Sequence, residues 1–200
     1  MAIHLAQPFA DYIRAYRDQD ANTLPDAACE QFVRAVEGQL SRSLQEHPRM
    51  RVRRSYPLGA GDNTIPVPKD MMQLHNVKLG EATLTQYPQN LEEKAIRCGG
   101  YVNYGNCIRV WHVPTETTTY TLEMGIAIPS LVDELQVEVN WVARYHADIY
   151  HKGLLAEAAG YLGDQAGYQF WQGLFEGAVQ RLAAQGWNES YADAPRIHAA

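Results

Sequence analysis

The chain is short of cysteine, of positive charge and of long apolar runs, and each shortage excludes something. Its 200 residues include three cysteines, Cys29, Cys98 and Cys107. An odd number without Cys-x-x-Cys or Cys/His metal spacing favours neither a disulfide framework nor a zinc site. Lys and Arg number 17 against 23 Asp and Glu, a formal net charge of -6 at pH 7. A protein that coats nucleic acid needs the opposite sign, because its affinity comes from releasing counterions from phosphate. A protein that lets DNA pass without gripping it is still allowed. The deficit is also local: residues 1–110 hold 13 basic and 12 acidic residues, whereas 111–200 hold 4 and 11. No stretch approaches the roughly 18 apolar residues of a membrane span, so no membrane partner is expected. Residues 1–9 lack the basic start of a signal peptide, and a reducing cytosol is the expected place of synthesis.

What is present is an ordinary globular composition, 46% hydrophobic and 20% charged, at a length that suits one domain or a core with one sizeable insertion. Residues 9–17 predict a short amphipathic helix with Phe9, Tyr12, Ile13 and Tyr16 on one face. A longer helix is expected from Pro25, capped by Thr23. Its apolar positions Ala28, Phe32, Val36, Leu40 and Leu44 recur every four residues, until Glu46-His47-Pro48 ends it. From Arg49 to about Ala127 the pattern turns to strands. Arg51–Tyr56, Val77–Leu79, Tyr101–Tyr104, Cys107–His112 and Thr117–Ile128 read as about five of them, with Gly105-Asn106 as a hairpin turn. Pro88–Arg97 predicts a short helix. Helical rhythm returns over Leu131–Leu162, breaks at Gly163-Asp164, and resumes over 166–185 with Phe170, Trp171, Leu174, Phe175, Ala178, Val179 and Leu182 as the apolar face. Gly186 is expected to stop that helix, leaving a polar tail from Trp187.

Familiar enzyme motifs are missing: no Gly-x-Gly-x-x-Gly after a strand, no phosphate-binding loop, no nucleophile elbow. Gly99-Gly100 precedes Tyr101 rather than a helix and reads as a turn. The best metal candidate is His146 with Asp148 and His151, but histidines five apart diverge on a helix, whereas helical zinc motifs space them by four. Glu92-Glu93 and Asp133-Glu134 are adjacent, point apart, and read as helix starts. No catalytic residue, metal or cofactor is expected.

Two features look outward. Arg49, Arg51 and Arg53 would share one face of a strand at period two, with Arg54 beside them. Such a row is either a solvated face or a site for anions: acidic residues of a neighbouring chain, or phosphate. Trp187 and Tyr191 stand in an otherwise polar tail, and large aromatics are favoured at protein interfaces. The tail either docks on a partner or folds back on its own domain.

Several segments together resemble the head-to-tail adaptor (connector) proteins of tailed bacteriophages. They begin with Asp11-Tyr12-Ile13-Arg14-Ala15-Tyr16, then Leu24-Pro25-Asp26 opening a helix that contains FVRAVEGQLSRSL. Ile65-Pro66-Val67-Pro68-Lys69-Asp70-Met71-Met72-Gln73-Leu74 is similar to the family's Leu-Pro-x-Asp-Phe entry into a strand, with Met71-Met72 where an aromatic is common. The run Tyr101 to Val110, then Pro114, Tyr120-Thr121-Leu122-Glu123-Met124 and Ile128-Pro129-Ser130-Leu131, follows in the family's order. Leu154 to Asp164 with Tyr168-Gln169-Phe170-Trp171 closes the match, which spans residues 9 to about 185.

The layout of elements along the chain predicts an α+β fold: an antiparallel bundle of about four helices (1–48 and 129–186) interrupted by a β-rich insertion (49–128), with an extended C-terminal tail (187–200). The resemblance implies a structural virion protein of the neck, assembled in the host cytoplasm. Such a protein forms a homo-oligomeric ring of about twelve copies beneath the portal, between it and a tail, stopper or nozzle protein. Viral DNA would pass through the lumen without sequence-specific binding. Trp187, Tyr191 and Ile197 would dock on the portal. Other readings are another neck component, such as a tail terminator or stopper, which tends to be β-rich without four flanking helices, and a remote one, a small hydrolase using His146 or His151.

Overall fold

In the structure, a computed structural model, the described residues are 7–111, 114–132 and 140–192, with only the backbone described at 7, 8, 96, 97 and 187–192. The chain divides into two compact units, Met1–Pro48 with Ala127–Ala200, and Arg49–Ile126. The class is α+β, with six α-helices and eight strands among the described residues.

The first unit is helical. It contains α1 (Gln7–Arg17), α2 (Asp26–Ser43), α4 (Trp141–Tyr145), α5 (Ala147–Tyr161) and α6 (Gln165–Ala192), with α3 (Glu92–Cys98) belonging to the other unit. The four-residue rhythm of α2 does bury one stripe, from Ala28 through Phe32, Val36 and Leu40. Its start differs from expectation: Pro25 occupies the cap position itself, while Thr23 spends its backbone and side-chain donors on Asp20 Oδ1 at 2.9 and 3.0 Å. Helix α5 buries Ile149, Tyr150, Leu154, Leu155, Ala156, Ala158 and Ala159, so it is apolar nearly all round and runs through the middle of the unit. At Gly153 its backbone comes so close to α2 and α6 that a Cβ would lie 2.9 Å from Val36 Cγ2 and 3.0 Å from Phe175 Cε2.

The single long helix expected over Leu131–Leu162 is interrupted. Residues 133–139, including Asp133-Glu134, lie outside the described part, and α4 and α5 are separate because His146 leaves helical geometry at φ -138° and ψ 43°. The break at Gly163-Asp164 holds. Gly186 does not stop α6. A Cβ there would collide with the His47 ring, and that ring stacks on Trp141 at 4.8 Å. The glycine serves close packing in mid-helix, and α6 continues to Ala192.

The second unit is built on two four-stranded sheets. One has the order β1 (Arg51–Leu58), β8 (Thr118–Ile126), β3 (Met71–Leu79), β4 (Ala82–Thr83); the other β2 (Thr64–Pro66), β7 (Cys107–Val110), β6 (Gly100–Asn103), β5 (Thr85–Gln86). The three extra strands β2, β4 and β5 are two or three residues long, too short to show a period in sequence. Both sheets feed one core of Leu58, Ile65, Val77, Tyr101, Ile108, Val110, Tyr120, Leu122, Met124 and Ile126. Strand β3 carries register shifts against β8 between Met71 and Gln73 and between Leu74 and Asn76. Met72, the residue skipped by the first, is 39% exposed, whereas Met71 packs on the core.

Candidate interaction surfaces

The basic run is split by the geometry of β1. Arg49 sits in the 3-10 turn Pro48–Met50, ahead of the strand, so it does not continue the strand face as the period-two reading expected. Arg51 and Arg53 are exposed, on the opposite side from Val52, Tyr56 and Leu58. Arg54 is half-buried and holds Asp70 through two parallel bonds of 2.8 and 2.5 Å. Arg53 Nε lies 2.8 Å from Glu123 Oε1 on the facing strand, and Lys78 Nζ lies 2.8 Å from the same oxygen. Asn76 donates to Glu123 Oε2 at 2.9 Å. Part of the compensating negative charge for the arginine row is therefore within the chain.

These donors hold the Glu123 carboxyl down at about 2, chiefly through the bonds from Lys78 and Asn76. A carboxylate with a depressed pKa stabilises the fold fully above its unfolded value, and that contribution is lost as pH falls through the folded value. Acidification from the ordinary 4.5 towards 2 is therefore expected to weaken the β unit by about 2 kcal/mol, and Glu123→Gln to flatten that pH dependence. Urea unfolding followed across this range checks both.

Beside these groups a groove of about 500 Å³ opens over β1, β3 and β8, lined among others by Arg51, Arg53, His75, Asn76 and Glu123. His75 is the residue skipped by the second register shift: Leu74 faces Met124, and Asn76 faces Glu123. Its Nε2 is buried without a hydrogen-bond partner. A bulge re-aims side chains in this way, and because it breaks alternation, period-two reading passes over His75.

The helical unit presents aromatics. Phe170 and Leu174, expected in the buried face of the last helix, are 59% and 41% exposed, and Tyr16 is 52% exposed. The inward stripe of α6 is Phe175, Ala178, Val179 and Leu182. Tyr16 meets Trp171 edge-on at 5.5 Å, and Trp171 meets Phe170 at 5.1 Å, so three aromatic rings continue from α1 onto α6. An apolar surface of this kind marks contact with other macromolecules. Of the expected docking residues, Trp187 and Tyr191 lie on the backbone of α6 rather than in an extended tail, because the helix does not end at Gly186. Ile197 lies outside the described residues.

The metal candidate comes apart. His151 stacks on Tyr12 at 4.0 Å, while His146 faces the edge of Trp141 at 6.0 Å. Asp148 is held by Lys152 at 2.6 Å. Burial lowers the His151 pKa, which suits an imidazole packed between rings. Among the described residues no cluster of metal-ligating side chains is found.

A buried polar network was not legible in sequence. Glu37 on α2 accepts from Leu131 N at 2.7 Å, and Ser41, one turn on, accepts from Ile128 N at 3.0 Å. Asn140 donates to Pro129 O at 2.7 Å and to the Tyr150 hydroxyl at 2.6 Å, and caps α4 by accepting from Ala143 N. Burial, together with the Glu37 carboxylate, drives the Tyr150 phenol strongly upward, so it stays protonated. The network ties residues 128–132 and the start of α4 to α2 and α5. The available signal was Glu37 and Ser41, polar residues four apart inside an apolar stripe.

Side chains turned outward in charged and aromatic groups, over polar networks that serve packing, describe a protein that works through contact with other proteins. The chain matches the family model described as SU10 adaptor protein over residues 5–197, and it belongs to that family. This is a bacteriophage adaptor family, composed of structural proteins and not enzymes. No curated protein sequence matches the chain. As a phage adaptor it is a structural protein that interacts with other virion components.

Proposed function

We propose that the chain is the head-to-tail adaptor of a tailed phage, forming a ring of about twelve copies with heterologous contacts beneath the portal. The ring extends the DNA channel and joins the capsid to the tail from a position in the neck, after assembly in the host cytoplasm. The observation that carries this reading is the family match, which runs through both units without interruption. The exposed rings of Tyr16, Trp171 and Phe170 support it, because a monomer gains nothing from leaving them in water.

In this reading the helices of 1–48 and 129–186 build the ring body and 49–128 projects toward the tail. Residues 187–200, with Trp187, Tyr191 and Ile197, dock on the portal. The surplus of acidic residues in 111–200 gives DNA a wall it does not adhere to, and no base contact is made.

The test is to mix the purified chain with its portal and measure the mass of the complex, then image it by electron microscopy. A closed ring stacked on the portal is expected. A chain that stays monomeric and never enters a complex with the portal overturns the reading.

A further inference from the structure

We infer that the outward face of α6 pairs with the same face of a second copy, as two parallel helices in register. Helix α6 spends one stripe on its own unit, through Phe175, Ala178, Val179 and Leu182. On the opposite side a second row runs from Phe170 through positions 173, 177, 180, 184 and 187 to Tyr191, in alternating steps of four and three residues. Such spacing belongs to helices that pack side by side along their length. Among the described residues nothing covers this row. Phe170 is 59% exposed, with Leu174 at 41% beside it. An added Cβ at Gly173 would meet no atom within 4 Å, and one at Gly177 would meet only the Arg181 guanidinium of the same helix, at 3.8 Å. The two glycines leave bare backbone between the aromatic ends of the row, so a partner helix can come close there.

Length and charge select the occupant. From 170 to 191 the row spans about 31 Å. Among the described helices only α6, with 28 residues, matches that length; α2 has 18 and buries its apolar stripe inside its own unit. Glu176 stands just before one position of the row and Arg181 just after the next. In a parallel pair in register, Glu176 of each copy therefore lies against Arg181 of the other. Both side chains are exposed. Arg181 has no acidic partner among the described residues, and Glu176 accepts only from Gln172 of its own helix, at 2.8 Å. An antiparallel pair would instead bring the edge of Gln169, Glu176 and Ala183 against itself and leave both charges unmatched. The pairing is isologous, goes beyond the ring reading and does not depend on it. Because positions 187 and 191 belong to the row, the pair is the state of the chain before it meets the portal.

Sedimentation equilibrium of the full chain tests the pair. A monomer–dimer equilibrium with a dissociation constant on the order of 100 µM is expected, weak because two glycines and Gln180 stand where larger apolar side chains would fill the seam. Phe170→Ala is expected to weaken it about tenfold. Arg181→Glu turns both cross-pairs into repulsions and is also expected to weaken it about tenfold, and adding Glu176→Arg to that chain to restore the affinity to within about twofold. A chain that stays monomeric at about 1 mM, or a dimer unmoved by Phe170→Ala, overturns the second copy as occupant. A dimer that the double reversal does not restore overturns the parallel register. Added portal is expected to draw the chain out of the dimer; a portal complex in which the dimer persists overturns the pair as the earlier state. If the chain binds no portal at all, the ring reading falls, and sedimentation alone decides the pair.

Discussion

Glu37→Ala is expected to lower the stability of the helical unit by about 3 kcal/mol, and Glu37→Gln by about 1 kcal/mol. Glu37 is 5% exposed and holds the Leu131 N–H at 2.7 Å beside the Tyr150 hydroxyl. Truncation leaves two buried donors with no acceptor, and an unpaired buried group costs more than the bond itself contributed. The amide keeps an acceptor for Leu131 N and gives up only the charge. Thermal unfolding reads the difference: about a 10 °C fall in Tm for the alanine variant is expected in a chain of this size. An alanine variant within a degree of the unaltered chain would show that the network does not hold residues 128–132 in place.

The second large effect is Gly153→Val, expected to destabilise by about 3 kcal/mol although valine is the better helix former. The first added carbon already lies 2.9–3.0 Å from Val36 and Phe175, and the two further methyls have no room. Val36 is fully buried on α2 and Phe175 is 3% exposed on α6, so neither side chain can retreat into solvent. The strain is a contact and so can be relieved: pairing Gly153→Val with Val36→Ala is expected to recover at least about 1 kcal/mol relative to the sum of the single changes. Denaturant midpoints of the four chains check this. Additive losses would place the cost in the backbone of α5 instead.

Helices with a strict apolar rhythm were legible in the sequence, because a single buried stripe imposes its period on local composition. Helix α2 and the inner stripe of α6 are of this kind, as are the strands β1, β7 and β8, where the alternation of core and solvent faces survives. Where tertiary contacts override local preference, the same reasoning fails. Gly186 reads as a helix stop in any linear pattern; only the His47 ring against it explains a glycine in mid-helix. Phe170 and Leu174 read as core because they are apolar, yet α6 already has an inward stripe, and these two face water where another protein can cover them.

The candidate site divides along the same line. The arginines of β1 were visible as a basic run, and the order of short segments was enough to point to the family. Which arginine does what was decided across strands: Arg54 turns to Asp70, Arg53 to Glu123, and a one-residue bulge puts His75 in the lining of the same groove as Arg51. None of those partners is near in sequence, since Glu123 is 70 residues from Arg53. By itself, the sequence determined composition, charge and the periods of the longer elements, all of which are properties of residues near one another. The groove, the buried Glu37 network and the exposed aromatic face came only from the tertiary structure, because each depends on the close approach of segments that no local rule pairs.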